Sequence, residues 1–366
     1  MQNTVFITGY PGFLASSLIR QLLNDHKEDI EKIYVLSLPH LEAVAKKEIN
    51  HMLQASALPQ DLITILKGDI TEPDLAMDHQ VKQQIEQSVT HVFHLAAIYD
   101  LAVPKTQAYQ VNVNGTAHVT AWVKSLPKIK RYVYFSTAYV SGMREGKIFE
   151  HELDMGQSFR NHYEHTKFQA EKIVRQVMQH IPTTIIRPGI VKGHAKTGKT
   201  IKFDGLYFML NLLDKLEKMP FIPFIGDGAP EGNFVPYDYV LEATSYLSWN
   251  DIGAGKTYHL TDPNPYSMRE IQSMVSLFYL GKLPKGQLPV QLVKAPLLLS
   301  PIRKWLKAEP EAMDYFLIHS SYDCSQTLAD LEGSGIQCPD LKNTLQPMID
   351  YYRKYKHDYT KQLDIK

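Results

Sequence analysis

The stretch Thr4–Leu18, TVFITGYPGFLASSL, decides how this chain is read. Val5, Phe6 and Ile7 form an apolar, partly β-branched run that suits a buried strand. The run stops at Thr8-Gly9. Beyond Gly12 the apolar residues recur at helical spacing, as Phe13, Leu14 and Leu18, then Leu22 and Leu23. A strand that feeds a helix through a glycine-marked turn is a common phosphate cradle. Glycines let the backbone approach the anion, and the first N–H groups of the helix face it. The spacing is Gly9-x-x-Gly12-x-x-Ala15, which differs from G-x-G-x-x-G and keeps a small residue where helix and strand pack. Buried strand–turn–helix units that bind nothing also carry two glycines, so the rest of the chain must decide.

Composition narrows the classes. The 366 residues are enough for about two domains. A hydrophobic content of 44% and a charged content of 21% are ordinary globular values. Lys+Arg and Asp+Glu both total 39, and a net charge of zero argues against a general nucleic-acid binder. Cys324 and Cys338 have no metal or redox spacing and suit a reducing compartment. The 15 histidines show no ligand spacing either, so no metal is expected. The N-terminus enters the first strand without a basic n-region, and no apolar run approaches the roughly 18 residues of a membrane span. A cytoplasmic protein is expected.

Strand and helix patterns then alternate. Residues 33–37, 62–66, 92–95, 132–135 and 183–186 read as further strands. Between them, 41–53, 78–86, 106–125 and 159–179 read as helices. This order indicates an α/β, doubly wound parallel sheet. After Arg187-Pro188-Gly189, Gly, Pro and aromatic residues become frequent and the helical patterns irregular. Residues 234–247 and 257–260 still read as sheet-domain material. The expected division is 1–190, with returning segments near 234–262, and a smaller, mostly helical substrate lobe of 191–233 and 263–366. Such a lobe belongs over the carboxyl ends of the strands, where doubly wound proteins place ligands.

The second informative stretch is Tyr163-Glu-His-Thr-Lys167. Residues four apart share a helix face, so Tyr163 and Lys167 can address one site. A nearby ammonium is expected to lower the phenol pKa, and a phenol so tuned passes a proton to a carbonyl oxygen while a cofactor delivers hydride. Thr137, at the end of the fifth strand, would bond the same oxygen. A surface helix whose Tyr and Lys merely share a face is the bland alternative in a chain with 21 tyrosines. The succession of motifs outweighs it: the glycine turn, Gly68-Asp69-Ile70, Leu95-Ala96-Ala97, Asn112-Val-Asn-Gly115-Thr116, Ser136-Thr137-Ala138, then Tyr163-x-x-x-Lys167.

On these residues the chain resembles an extended short-chain dehydrogenase/reductase, with a Rossmann-type sheet. It is most similar to the branch of fatty acyl reductases and thioester-reductase domains. The narrower likeness rests on Gly68-Asp69-Ile70-Thr-Glu-Pro-Asp-Leu75, Phe135-Ser-Thr137-Ala-Tyr-Val140 and Cys338-Pro-Asp-Leu341. The resemblance implies an NAD(P)H cofactor. Gly9, Gly12, Phe13 and Leu14 would hold its pyrophosphate, and Asp69 and Ile70 its adenine. Ala96, Ala97 and Asn112 would line it, and Pro188, Gly189, Ile190 and Val191 would meet the nicotinamide. Thr137, Tyr163 and Lys167 would be catalytic, the last two also touching the cofactor. The implied substrate is a small molecule or an acyl thioester, carried by CoA or a carrier protein. A nucleotide-sugar epimerase or dehydratase and a 3β-hydroxysteroid-type dehydrogenase use the same triad and stay open, as does a non-catalytic dinucleotide sensor.

Three places depart from the pattern or exceed it. No Asp or Glu ends the second strand, where Ser37-Leu38-Pro39-His40 stands, and no family arginine replaces it. Ser37, His40 or Lys46 would then meet a 2′-phosphate, which favours NADPH and leaves NADH open. Lys196, Lys199 and Lys202 form either a basic rim for the phosphates of a thioester carrier or a solvated loop. Leu292–Leu306, LVKAPLLLSPIRKWL, reads as an apolar lid or core helix ahead of a membrane-surface contact.

Overall fold

The computed structural model describes residues 2–362. Its strands include β1 (Asn3–Thr8), β2 (Ile30–Ser37), β3 (Ile63–Lys67), β4 (Val89–His94), β5 (Arg131–Phe135), β6 (Thr183–Pro188), β7 (Ile190–Lys192), β8 (Phe234–Pro236) and β9 (Lys256–Leu260). Seven of them form one parallel sheet in the order β9-β6-β5-β4-β1-β2-β3. The chain winds outward from β1 in both directions, so the order reverses between β1 and β4. A ligand crevice opens at that point, beyond the carboxyl ends of the strands.

Helices cover both faces. They are α1 (Phe13–His26), α2 (Glu42–Ala55), α3 (His79–Glu86), α4 (Gly115–Ser125), α5 (His162–Val177), α6 (Tyr207–Leu216), α7 (Tyr237–Trp249), α8 (Met268–Leu280), α9 (Val290–Leu297), α10 (Ser300–Leu306), α11 (Ser325–Leu331) and α12 (Leu341–Tyr355). Every residue of β1 is buried because alternate side chains enter different cores. Val5 and Ile7 pack with α1, α2 and α7, while Phe6 packs with α4 and α5. A third core joins α6, α8, α9 and α12 over the crevice. The returning segment rejoins the sheet at its end: β8 pairs with β7 in a separate two-stranded sheet, α7 packs on α1, and β9 forms the outer edge of the main sheet beside β6.

Local chemistry trims several expected helices. The Asn161 side chain accepts from Glu164 N at 2.9 Å, so α5 starts at His162, three residues into the expected span. The expected helix over 106–125 is a helical turn, a π turn over Tyr109–Asn114, and then α4. Asn112, in the π turn, accepts from Ile98 N at 2.9 Å and donates to Thr166 Oγ1 at 3.0 Å. Among the described residues no helix is long and apolar enough to cross a membrane, and no group of three or more His, Cys, Asp or Glu side chains gathers as a metal site would need.

Candidate active site

The glycine turn closes against the end of β4. Gly9 has φ +88°, and a Cβ there would stand 2.8 Å from Ala96 N. Gly12 N donates to Gly9 O at 2.8 Å, leaving no room for a Cβ, which would meet that oxygen at 2.5 Å. Gly12 is also the N-cap of α1, and it supplies no side-chain cap; no acid stands in the first turn. The first N–H groups of α1 thus have no side-chain acceptor and face the crevice, a fit for an anionic phosphate.

One buried histidine holds this turn to the sheet. Thr8 Oγ1 accepts from Ala96 N at 3.1 Å and lies 2.7 Å from His94 Nδ1; His94 Nε2 lies 3.0 Å from Thr116 Oγ1. The His94 ring thus bridges the hydroxyls of Thr8 and Thr116 through its two nitrogens. Burial, with Lys167 adding to it, pulls the His94 pKa down to about 3.

These parts line a cavity of about 810 Å³. Gly9, Gly12, Phe13, Leu14, Asp69, Ile70, Ala96, Ala97, Thr137, Tyr163, Lys167 and Pro188 to Val191 all reach its wall. Asp69 Oδ1 accepts from Thr71 N and Thr71 Oγ1, which folds the loop after β3 and leaves Oδ2 without a hydrogen bond among the described residues. Ser37 and Asn112 do not reach the wall. Ser37 is buried, with its hydroxyl 3.4 Å from Leu38 O, and Asn112 instead ties the segment after β4 to α5. His40 is exposed, and Lys46 pairs with Glu42 at 2.7 Å; neither lines the cavity. Of the three loop lysines, Lys202 reaches it and Lys196 and Lys199 do not.

Tyr163, Lys167 and Glu171 form one stripe along α5. Thr137 stands beside the Tyr163 phenol and favours its ionised form, and Tyr99 packs edge-on against its ring at 5.3 Å. The expected lowering of the phenol pKa by Lys167 is not what the structure shows. Burial, assisted by the Glu164 charge, raises Tyr163 above its ordinary value, with Thr137 opposing. Lys167 Nζ donates to Phe135 O at 2.6 Å and sits 4.4 Å over the Tyr134 ring. Burial brings its pKa down to about 7, against the pull of Glu171.

Glu171 was not singled out in the sequence, yet it fixes the stripe. Its carboxylate accepts from Ser136 Oγ at 2.6 Å, from Arg187 Nε and Nη2 at 3.0 and 2.7 Å, and from Arg175 Nε at 2.9 Å. Burial would push the carboxyl up, but the Arg187 and Arg175 charges and these bonds bring it down to about 2. Arg187 also donates to Glu150 O, Glu152 O and His259 Nε2. The helix period carries the available signal: Glu171 lies four residues after Lys167, and Arg187 opens the quoted Arg-Pro-Gly motif.

The lining also includes the apolar side chains of Leu206, Phe208, Met209, Phe234, Met268, Met313 and Phe316, with polar Thr200, Lys202, Glu231 and Asn233 among them. Asp204, also on the wall, has its carboxyl raised to about 6 by burial.

Residues 7–244 match the NAD-binding family described as "Male sterility protein". The chain belongs to this family of extended short-chain dehydrogenase/reductases. It is 27% identical over 286 residues to the Drosophila melanogaster protein named "Fatty acyl-CoA reductase wat", covering 69% of this chain and 55% of that protein. The chain therefore spans about half the length of that relative. The crystal structure of the terminal R domain from the myxalamid PKS-NRPS pathway superposes with a TM-score of 0.79 at 24% identity, covering 98% of this chain and 92% of that one. A UDP-glucuronic acid 4-epimerase from Bacillus cereus superposes at 0.64 and 19% identity, covering 97% and 99%. The shared fold alone does not separate these activities.

Proposed function

We propose that the chain is an NAD(P)H-dependent reductase of a hydrophobic carbonyl, an acyl thioester or the aldehyde derived from it. One observation carries this reading. A single cavity is lined by the glycine turn, by Thr137, Tyr163 and Lys167, and by a group of apolar side chains from Leu206 to Phe316. The relative named as a fatty acyl-CoA reductase agrees with it. Such an apolar group suits an acyl chain better than the sugar of a nucleotide-sugar epimerase, which needs hydrogen-bond partners for its hydroxyls.

In this reading Gly9, Gly12 and the N-terminus of α1 hold the pyrophosphate, and Asp69 Oδ2 and Ile70 receive the adenine. Pro188 to Val191 meet the nicotinamide side. The bound cofactor supplies hydride. Tyr163, kept protonated by burial, gives its phenolic proton to the substrate oxygen, to which Thr137 also donates a hydrogen bond. Lys167, held by Phe135 O and by the charge of Glu171, stands behind the phenol as the source that replaces its proton. NADPH is the proposed cofactor because no carboxylate ends β2 to repel a 2′-phosphate.

The test is oxidation of NADPH and of NADH, followed against acyl-CoAs, fatty aldehydes and β-ketones. The reading expects turnover with long-chain thioesters or aldehydes. Tightly held NAD without net consumption of reduced cofactor would transfer the chain to the epimerase reading.

A further inference from the structure

The rim of the helical lobe carries charge of one sign. Residues 271–308 hold no Asp or Glu, although the chain has 39 in 366 residues and a stretch of this length would average about four. The same residues include Lys282, Lys285, Lys294, Arg303, Lys304 and Lys307. Lys294 and Arg303 pair with Asp314 and Glu309, which lie outside the stretch. Lys285 and Lys304 have no acidic partner among the described residues.

The rim is also apolar on the wrong side for a protein facing only water. In α9, Val290, Val293 and Leu297 turn into the core. On the opposite face Leu292, Ala295 and Pro296 are exposed, with Leu298 and Leu299 following directly. Leu292, Leu298 and Leu299 are 61%, 66% and 60% exposed, and Trp305 on α10 is 56% exposed. A helix with apolar residues on both faces is normally covered on both. Leu283 and Leu288, just before α9, are exposed as well.

We propose that α9 and α10 form a docking surface for an anionic phospholipid bilayer. The exposed leucines and Trp305 enter the headgroup boundary, and the surrounding lysines meet lipid phosphates. Charge complementarity selects this occupant: Lys282, Lys285, Lys304 and Lys307 form no ion pair among the described residues, and such uncompensated cations beside exposed leucines match a surface of negative charge. The surface also adjoins the cavity. The segment Pro310–Leu317 packs on α9, and its Ala312, Met313 and Phe316 line the cavity. Delivery of an acyl substrate from the bilayer to that cavity rests on the reductase reading; docking itself does not.

The experiment is flotation of the full chain with phosphatidylcholine vesicles and with equimolar phosphatidylcholine–phosphatidylglycerol vesicles. Binding to the anionic vesicles is expected, weakening as salt rises and much weaker on the neutral ones. The Leu298→Ser/Leu299→Ser double variant and the Lys285→Glu/Lys304→Glu double variant should each bind about tenfold less. Both sites are exposed, so unchanged thermal melting and unchanged turnover of a short, water-soluble aldehyde keep a loss of binding specific. Absence of flotation on anionic vesicles, or equal flotation of all variants, overturns the proposal. Capture of an acidic acyl carrier protein by the wild type and not by the variants, without vesicle binding, overturns it in favour of a protein partner. Flotation is read without cofactor or substrate, so its failure is distinct from failure of the reductase reading.

Discussion

The wall behind Tyr163 and the rim of the helical lobe treat charge in opposite ways. Behind Tyr163, Glu171 and Arg187 are nearly inaccessible, and each is matched by named partners. Taking such groups out of water costs several kcal/mol unless every lone pair and proton finds a counterpart. Full matching of this kind leaves a side chain one position to occupy. On the rim, Lys285 and Lys304 have no acidic counterpart among the described residues, and Leu292, Leu298 and Leu299 are exposed. The first region is built to hold atoms still, and the second to meet something outside the chain. Variants in the two should therefore fail differently.

The largest effect is expected at the reacting atom. Tyr163→Phe removes the proton donor and leaves the ring packed against Tyr99. Turnover should fall by about 10²–10⁴-fold. NADPH binding, read by fluorescence titration, should be retained. Turnover at the wild-type rate would remove Tyr163 from the mechanism.

Next is the anchor beneath it. Glu171→Gln leaves the Arg187 guanidinium buried without its counter-charge, and breaking a buried pair in this way costs about 3–5 kcal/mol. Urea denaturation measures it. A Glu171→Leu/Arg187→Met double variant should recover a large part of that loss, because neither charge is stranded. Equal losses for the single and double variants would mean that the carbonyl partners of Arg187, not its pairing with Glu171, dominate.

These two cases mark how far the sequence could be read. Tyr163 and Lys167 were legible because their spacing, with the motif order around it, names a chemistry. The alternating strands and the sheet were legible because burial on both faces demands long apolar runs. Glu171 was hidden because a glutamate in a helix is ordinarily solvated, and only the three-dimensional return of Arg187 in β6 makes it an anchor. The phenol pKa was misread for a related reason. Spacing places Lys167 near Tyr163, but it carries no information on the depth of burial that outweighs the ammonium. Asn112 was assigned to the cofactor by likeness, whereas its hydrogen bonds go to Ile98 and Thr166. Leu292–Leu306 has one pattern for core and for surface alike, and only accessibility separates them.

A smaller effect sets stability against activity. Burial lowers Lys167 to about 7 in the folded chain, while an unfolded lysine titrates near 10.4. Between those values the unfolded state binds the extra proton, so this group makes the fold more stable as pH rises. Below about 7 both states are protonated, and the cost of burying the ammonium is borne in full. Turnover should move the other way, falling as Lys167 loses its proton. Denaturation and rate profiles from about pH 6 to 9 should thus slope oppositely, and Lys167→Met should flatten the stability slope. Profiles of the same sign would place the titrating group elsewhere.

The smallest effect is the one that separates the two regions most cleanly. Leu297 and Leu299 are two residues apart at the end of α9; Leu297 is 1% exposed and Leu299 is 60% exposed. Leu297→Ala opens a cavity in the lobe core and should cost about 2–5 kcal/mol. Leu299→Ala removes the same atoms from water and should stay within about 0.5 kcal/mol of wild type. A fold that does not need Leu299 leaves its exposure to be explained by a surface the chain meets. If instead Leu299→Ala destabilises the isolated chain as Leu297→Ala does, the leucine is covered within the protein in solution, and the contrast between the two regions fails at this residue.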